Sequence, residues 1–161
     1  MSASRSWVLL SLAASAHVCE TANLPGCGHG TPGRHTAQEV IAQLNLTANV
    51  EKGFYAQTFE DPDKVNNRSV STAIYYLLEG ADSPSYWHRV DAVEIWHYYA
   101  GAPLTLSLSN DDGKPVRQNV LGPDIFNGEQ PQVAIQKMEW QHAQSLGDWT
   151  LVGTTGKHFC P

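Results

Sequence analysis

The sequence predicts an all-β domain, a sandwich or jelly-roll barrel, preceded by one short helix. Three observations predict it. Short stretches rich in Val, Ile, Tyr, Trp and Thr recur between residues 53 and 153. Clusters of Gly, Pro, Asn and Asp separate them, among them residues 79–84 and Asn110-Asp111-Asp112-Gly113. Helical periodicity is confined to one place, Thr36 to Leu46.

The elements follow in chain order. Residues 1–16 read as a secretory signal. Arg5 supplies the positive start, residues 7–13 a short apolar core, and Ala14-Ser15-Ala16 a small-x-small cleavage site. Residues 17–35 form a Gly/Pro-rich leader and residues 36–161 the folded domain. Entry into the secretory pathway gives Cys19, Cys27 and Cys160 an oxidising environment. It also gives meaning to the glycosylation sequons at Asn45 and Asn67. Thr36 caps the helix, Glu39 completes a capping box, and Val40, Ile41 and Leu44 recur at helical spacing. Strands are expected at 53–59, 69–78, 86–90, 93–99, 104–109, 116–121, 132–136, 141–144 and 149–153.

Composition excludes several functions. Of 161 residues, 10 are Lys or Arg and 16 are Asp or Glu, a net charge of −6. That balance opposes nucleic-acid binding, which needs clustered cations to neutralise phosphates. No apolar run is long enough to cross a bilayer as a helix, about 18 residues or more. A hydrophobic fraction of 42% with only 16% charged residues excludes a disordered acidic chain. Three cysteines make neither a disulfide scaffold nor paired CxxC zinc sites.

Chemistry concentrates between Gly80 and Gly101. Strand alternation puts Glu94, Trp96 and Tyr98 on one face and His97 on the other. If His88 lies on the neighbouring strand, its ring can meet Glu94. Such a pair is a metal half-site, an acid/base dyad or a structural hydrogen bond. Trp87, Trp96, Tyr98 and Trp140 are candidates to line a cavity, and His97 joins them as a candidate contact to a ligand or a second surface.

The pattern Gly80-x7-His88-x-Val90-x3-Glu94-x6-Gly101 resembles the first cupin motif, with two extra residues before the first His. The second motif is matched loosely at residues 128–141. The chain is more similar to the small cupins that resemble bacterial dTDP-sugar epimerases (RmlC-like proteins). It shares with them an Arg-Ser strand start at Arg68-Ser69, a Trp-His-Arg block at 87–89 and Glu-Ile-Trp-His-Tyr-Tyr-Ala-Gly at 94–101. A Gly-Glu-x-Pro-Gln segment at 128–132, Trp140-Gln141 and Trp-x-Leu-Val-Gly at 149–153 extend the likeness over about residues 37–155. The resemblance implies a double-stranded β-helix, the cupin jelly-roll barrel, and a homodimer.

Departures from the motif shape the functional expectation. The second metal histidine of cupins is Val90 here, and the third falls on Gln141. Gln136 and Met138 replace the second motif's Pro and Gly. Only His88 and Glu94 remain as strong ligands, with Gln141 as a weak one, whereas catalytic metals usually take three. The subfamily's Gly-Gly-x-x-Arg-Glu reads Lys52-Gly53-Phe54-Tyr55-Ala56-Gln57, which changes the polarity of the pocket mouth. The expectation is an enzyme without a cofactor, an isomerase, epimerase or cyclase acting on an aromatic or polyketide-like small molecule. His88 is its acid or base, Glu94 orients it, and Gln141 donates to a developing oxyanion. The alternatives are a non-catalytic ligand-binding cupin and a metal-dependent oxygenase or hydrolase using His88, Glu94 and Gln141.

Overall fold

The computed structural model describes residues 35–80 and 83–156. The signal segment, nearly all of the leader and Cys19, Cys27 and Cys160 lie outside the described residues. One helix, α1 (Ala37–Gln43), precedes eleven strands: β1 (Thr47–Ala48), β2 (Phe54–Glu60), β3 (Lys64–Val65), β4 (Arg68–Ser69), β5 (Thr72–Glu79), β6 (Glu94–Gly101), β7 (Leu104–Ser109), β8 (Arg117–Leu121), β9 (Gln132–Ile135), β10 (Trp140–Ser145) and β11 (Trp149–Gly156). They form an antiparallel six-stranded sheet in the order β1-β2-β5-β11-β6-β9 and a three-stranded sheet in the order β10-β7-β8, with β3 and β4 a small separate pair.

The two larger sheets close on one core. Tyr76, Leu78, Trp96, Val133, Ile135 and Val152 of the large sheet meet Leu104, Leu106, Leu108, Leu121 and Ala143 of the small one. These residues alternate along their strands, as a half-covered pleated surface requires. The other face of the large sheet is also covered at one end. There α1 lays Val40, Ile41 and Leu44 over Leu77, Trp149 and Leu151. Tyr76, Leu77 and Leu78 are therefore buried in succession, because β5 has cover on both sides.

The helix starts as expected and stops earlier. Thr36 caps it with both halves of the capping box in place. It ends at Gln43, where Asn45 turns left-handed (φ 52°). The Asn45 amide donates to Ala42 and the Leu46 amide to Ile41, a Schellman closure that buries Leu46. Eight of the nine expected strands are present, and Leu104–Ser109 has the expected bounds. The strand expected at 86–90 is absent. His88 forms an isolated bridge there, exchanging both backbone hydrogen bonds with Gln141, while single bonds from Ser85 to Ala143 and from Met138 to Val90 flank it. The ladder is interrupted where the Tyr86 amide instead donates to the Glu51 carbonyl on the other side of the barrel (3.0 Å). This segment is an extended strap along the β10 edge, and it joins the small sheet to the β1–β2 turn.

Candidate functional site

The strap and the large sheet enclose a cavity of about 380 Å³. Glu51, His88 and Glu94 line it, with Tyr55, Ile74 and Val90 among the other walls. Each acidic or basic group arrives from a different element. Glu51 sits on the turn between β1 and β2. The Asn49 side chain accepts from the Glu51 amide (3.0 Å), and Lys52 and Gly53 follow in left-handed conformations (φ 72° and 70°). The Tyr76 hydroxyl locks this turn by donating to the Lys52 carbonyl (2.8 Å). His88 sits on the strap, and Glu94 opens β6.

The imidazole is held at one nitrogen and faces a carboxyl with the other. Nδ1 lies 2.8 Å from the Tyr86 carbonyl oxygen and Nε2 lies 3.4 Å from a Glu51 carboxyl oxygen. A carbonyl only accepts, so Nδ1 carries a hydrogen. Nε2 and the Glu51 oxygen then face each other, and a proton on one or the other satisfies the contact. Burial pushes the Glu51 carboxyl above the ordinary carboxylate range; His88 opposes that shift, and the charge of Glu94 adds to it.

Glu94 is anchored through one oxygen. Its Oε2 accepts from the Trp96 indole (3.0 Å) and from the Gln141 amide (2.9 Å). Gln141 is fully buried, and its Oε1 has no partner. A buried amide oxygen left unpaired is costly, so it marks a place where a donor is wanted.

The expected site residues separate into three groups. His88 and Glu94 line the cavity, and Gln141 stands behind Glu94. The expected direct pairing of His88 with Glu94 does not form; the ring's charged partner is Glu51. His88 is carried by the strap beside β10, whereas β6 lies in the opposite sheet. None of the five expected ligand contacts lines the cavity; Trp96 reaches it only through Glu94, from the core behind.

Trp87 and Trp140 lie on the outer face of the small sheet. Alternation turns His88 and Val90 inward and Trp87 and Arg89 outward. There the two indoles border a shallow depression with Ser109, Asp111 and Val116. Trp87 stacks on His142 (5.1 Å between centroids), and Arg89 covers Trp140 (4.8 Å). Burial lowers the His142 pKa, and His142 faces out with Trp87. Trp96 is a core residue. Tyr98 packs against the core and donates to the Gly101 carbonyl at the end of its own strand (2.6 Å). His97 keeps the face that alternation predicts, opposite Glu94. There it meets Thr155 (3.1 Å) and stacks on Tyr99.

Sequence reasoning missed Glu51. Its local signal was only Asn49 followed by Lys52-Gly53, a turn signature that says nothing about where the side chain points. The residues of the expected pocket-mouth segment divide between two faces. Tyr55 and Gln57 line the cavity, and Ala56 faces the outer core with α1.

The donors do not fit a cupin metal centre. The His88 ring is committed to the Tyr86 carbonyl and Glu51, Val90 has no donor, and Gln141 presents its amide nitrogen to Glu94. Among the described residues no three His, Cys, Asp or Glu converge as ligands. Nor, among them, is any helix long and apolar enough to cross a membrane.

Two antiparallel sheets closed into a barrel, with a cavity at the barrel wall holding His and Glu from separate elements, define a jelly-roll protein of the cupin type. The sequence pattern of Cupin_5, "Cupin superfamily (DUF985)", matches residues 38–157, so the chain belongs to that family. It is similar to protein SO0799 from Shewanella oneidensis, with 30% identity over 76% of this chain and 77% of that one and a TM-score of 0.71. A hypothetical protein from Leishmania major is 26% identical over 76% of this chain and 81% of its own, with a TM-score of 0.69. The capsular polysaccharide assembling protein CapF from Staphylococcus aureus shares the fold at 11% identity, covering 72% of this chain and 31% of its own (TM-score 0.54). No curated protein matches the sequence.

Proposed function

We propose that the protein is a small-molecule enzyme that transfers a proton through His88 and Glu51, in an isomerase, epimerase or cyclase type of reaction. One observation carries this reading: the imidazole Nε2 and the Glu51 carboxyl face each other at the cavity wall, with Nδ1 already committed to the Tyr86 carbonyl. A proton taken from a substrate by Nε2 makes an imidazolium that Glu51 stabilises. Returning it at another atom, or on another face, completes an isomerisation with no cofactor in the balance. Glu94, held by Trp96 and Gln141, is a fixed acceptor that orients a substrate hydroxyl or N–H. In this reading Glu51 takes the orienting role first expected of Glu94. The indoles of Trp87 and Trp140 lie outside the cavity, so an aromatic substrate loses its main support.

The test is deuterium incorporation from D₂O into a pool of small polar metabolites, read by mass. The wild type is expected to label at least one compound, and His88→Gln to slow that labelling by about 10²–10⁴. Undiminished labelling by the variant removes His88 from the chemistry. Secretory entry belongs to the same proposal. It is supported by the N-terminal segment and by the exposure of Asn45 and Asn67 on tight turns.

A further inference from the structure

Charge in the cavity is one-sided. Glu51 and Glu94 both line it, no Lys or Arg does so among the described residues, and the His88 ring is already turned to Glu51. The nearby cations are engaged elsewhere. Lys52 lies over the Tyr86 ring (5.1 Å) and Arg89 over Trp140, while Arg68 makes a two-pronged pair with Asp91 (2.5 and 2.7 Å). Hydrogen-bonding capacity is also one-sided at the Glu94 end. Gln141 spends its amide N–H on Glu94 and keeps a buried oxygen with no donor. The remaining wall is mixed: Ile74, Val90, Ala92 and Val93 give it an apolar stretch, and Asn49, Gln57, Thr72 and Thr154 add neutral polar groups.

We propose that the cavity takes a small amine, its ammonium group between Glu51 and Glu94 and its apolar body along Ile74, Val90 and Val93. This rests on the cavity being the substrate site of the proton-transfer reading. An ammonium brings three N–H donors and no acceptor to a site that offers acceptors, and two carboxylates offset the loss of its hydration. Burial raises the affinity of Glu51 for its proton, His88 opposes that shift, and the charge of Glu94 across the cavity adds to it. A nucleoside diphosphate or a carboxylate ligand meets the opposite situation: two like charges, no Lys or Arg among the described lining residues, and an imidazole already facing Glu51. The volume, about 380 Å³, lies in the small-molecule range.

Calorimetric titration of the full chain with benzylamine, benzyl alcohol, benzoate and thymidine diphosphate tests this. The first three differ little in shape and carry charges of plus one, zero and minus one. Benzylamine is expected to bind at least about tenfold more tightly than benzyl alcohol, with no measurable binding of the two anions. Glu51→Gln and Glu94→Gln are each expected to remove about tenfold of that preference. The proposal is overturned if benzylamine is silent up to about 10 mM, if either anion binds as well, or if both variants keep the preference. The comparison on the wild type stands even if a variant fails to fold. The two readings fail separately. His88-dependent labelling of an anion sinks the amine and keeps the proton transfer. Glutamate-dependent amine binding without labelling does the reverse.

Discussion

Glu51 shows how a residue without a motif can become central. It lies on a five-residue turn and reaches the cavity because Asn49 and Tyr76 fix that turn, and because the Glu51 carbonyl receives the Tyr86 amide from 35 residues further on. That contact depends on barrel closure, and no periodicity in the chain encodes it. His88 and Glu94 were legible, since one alternating run and one motif carry them. Their partners were not. A buried, raised carboxyl also has a cost that can be measured. The folded state holds the Glu51 proton more tightly than the unfolded chain, whose ordinary value is 4.5. Stability therefore falls as pH rises through that value toward the raised one. Urea unfolding at pH 4 and pH 7 checks the sign. Glu51→Gln is expected to be more stable than wild type at pH 7, with the difference shrinking toward pH 4. An equal difference at both pH values would contradict the assignment.

At the scale of elements, the strap at 84–93 and the end of β6 decide what the barrel can hold. The strap reads as a strand because its side chains alternate, and they do alternate. Backbone pairing is what becomes intermittent: bonds remain at Ser85, His88 and Val90, and the Tyr86 amide goes to the Glu51 carbonyl instead. The indoles at 87 and 140 were therefore placed on the wrong side. Period two tells which residues share a face; it does not tell which face is inside. The close of β6 is more constrained. Gly101 has φ +90°, and a Cβ there would strike the Trp149 carbonyl and ring, the ring atoms at 2.7 and 2.8 Å. Trp149 belongs to the outer core under α1 and donates to the His35 carbonyl (2.8 Å). Gly101→Ala is expected to cost about 2–4 kcal/mol in chemical denaturation, through strain and overpacking together. A loss below about 0.5 kcal/mol would mean that the Trp149 ring moves aside freely.

For the whole molecule, the jelly roll was largely legible. Turn clusters and β-branched runs located eight strands within a residue or two at most ends, and the motif run around His88 identified the superfamily. The short pairs β1 and β3–β4 were not legible, since two residues carry no period. The secretory reading is also a property of the whole chain, and the two sequons give it an observable. Asn45 closes α1 and Asn67 lies between β3 and β4, both exposed and left-handed, so a glycan on either would project from a turn without disturbing a ladder. Protein isolated from its native host is expected to lose mass on treatment with peptide:N-glycanase. An unchanged mass would count against passage through the secretory pathway.

Gln141 is where two positioning tasks meet. Its backbone holds the strap at His88, and its side chain holds Glu94. One residue of β10 thus bears on the positions of both the imidazole and that carboxylate, beside the β1–β2 turn that holds the strap and Trp96 that holds Glu94. Loops such as 110–116 can lengthen, shorten or drift in sequence without detuning the site, while a change at position 141 disturbs both groups at once. Diversity among relatives should then collect in the loops, with position 141 acting as the hinge on which a different chemistry would have to turn.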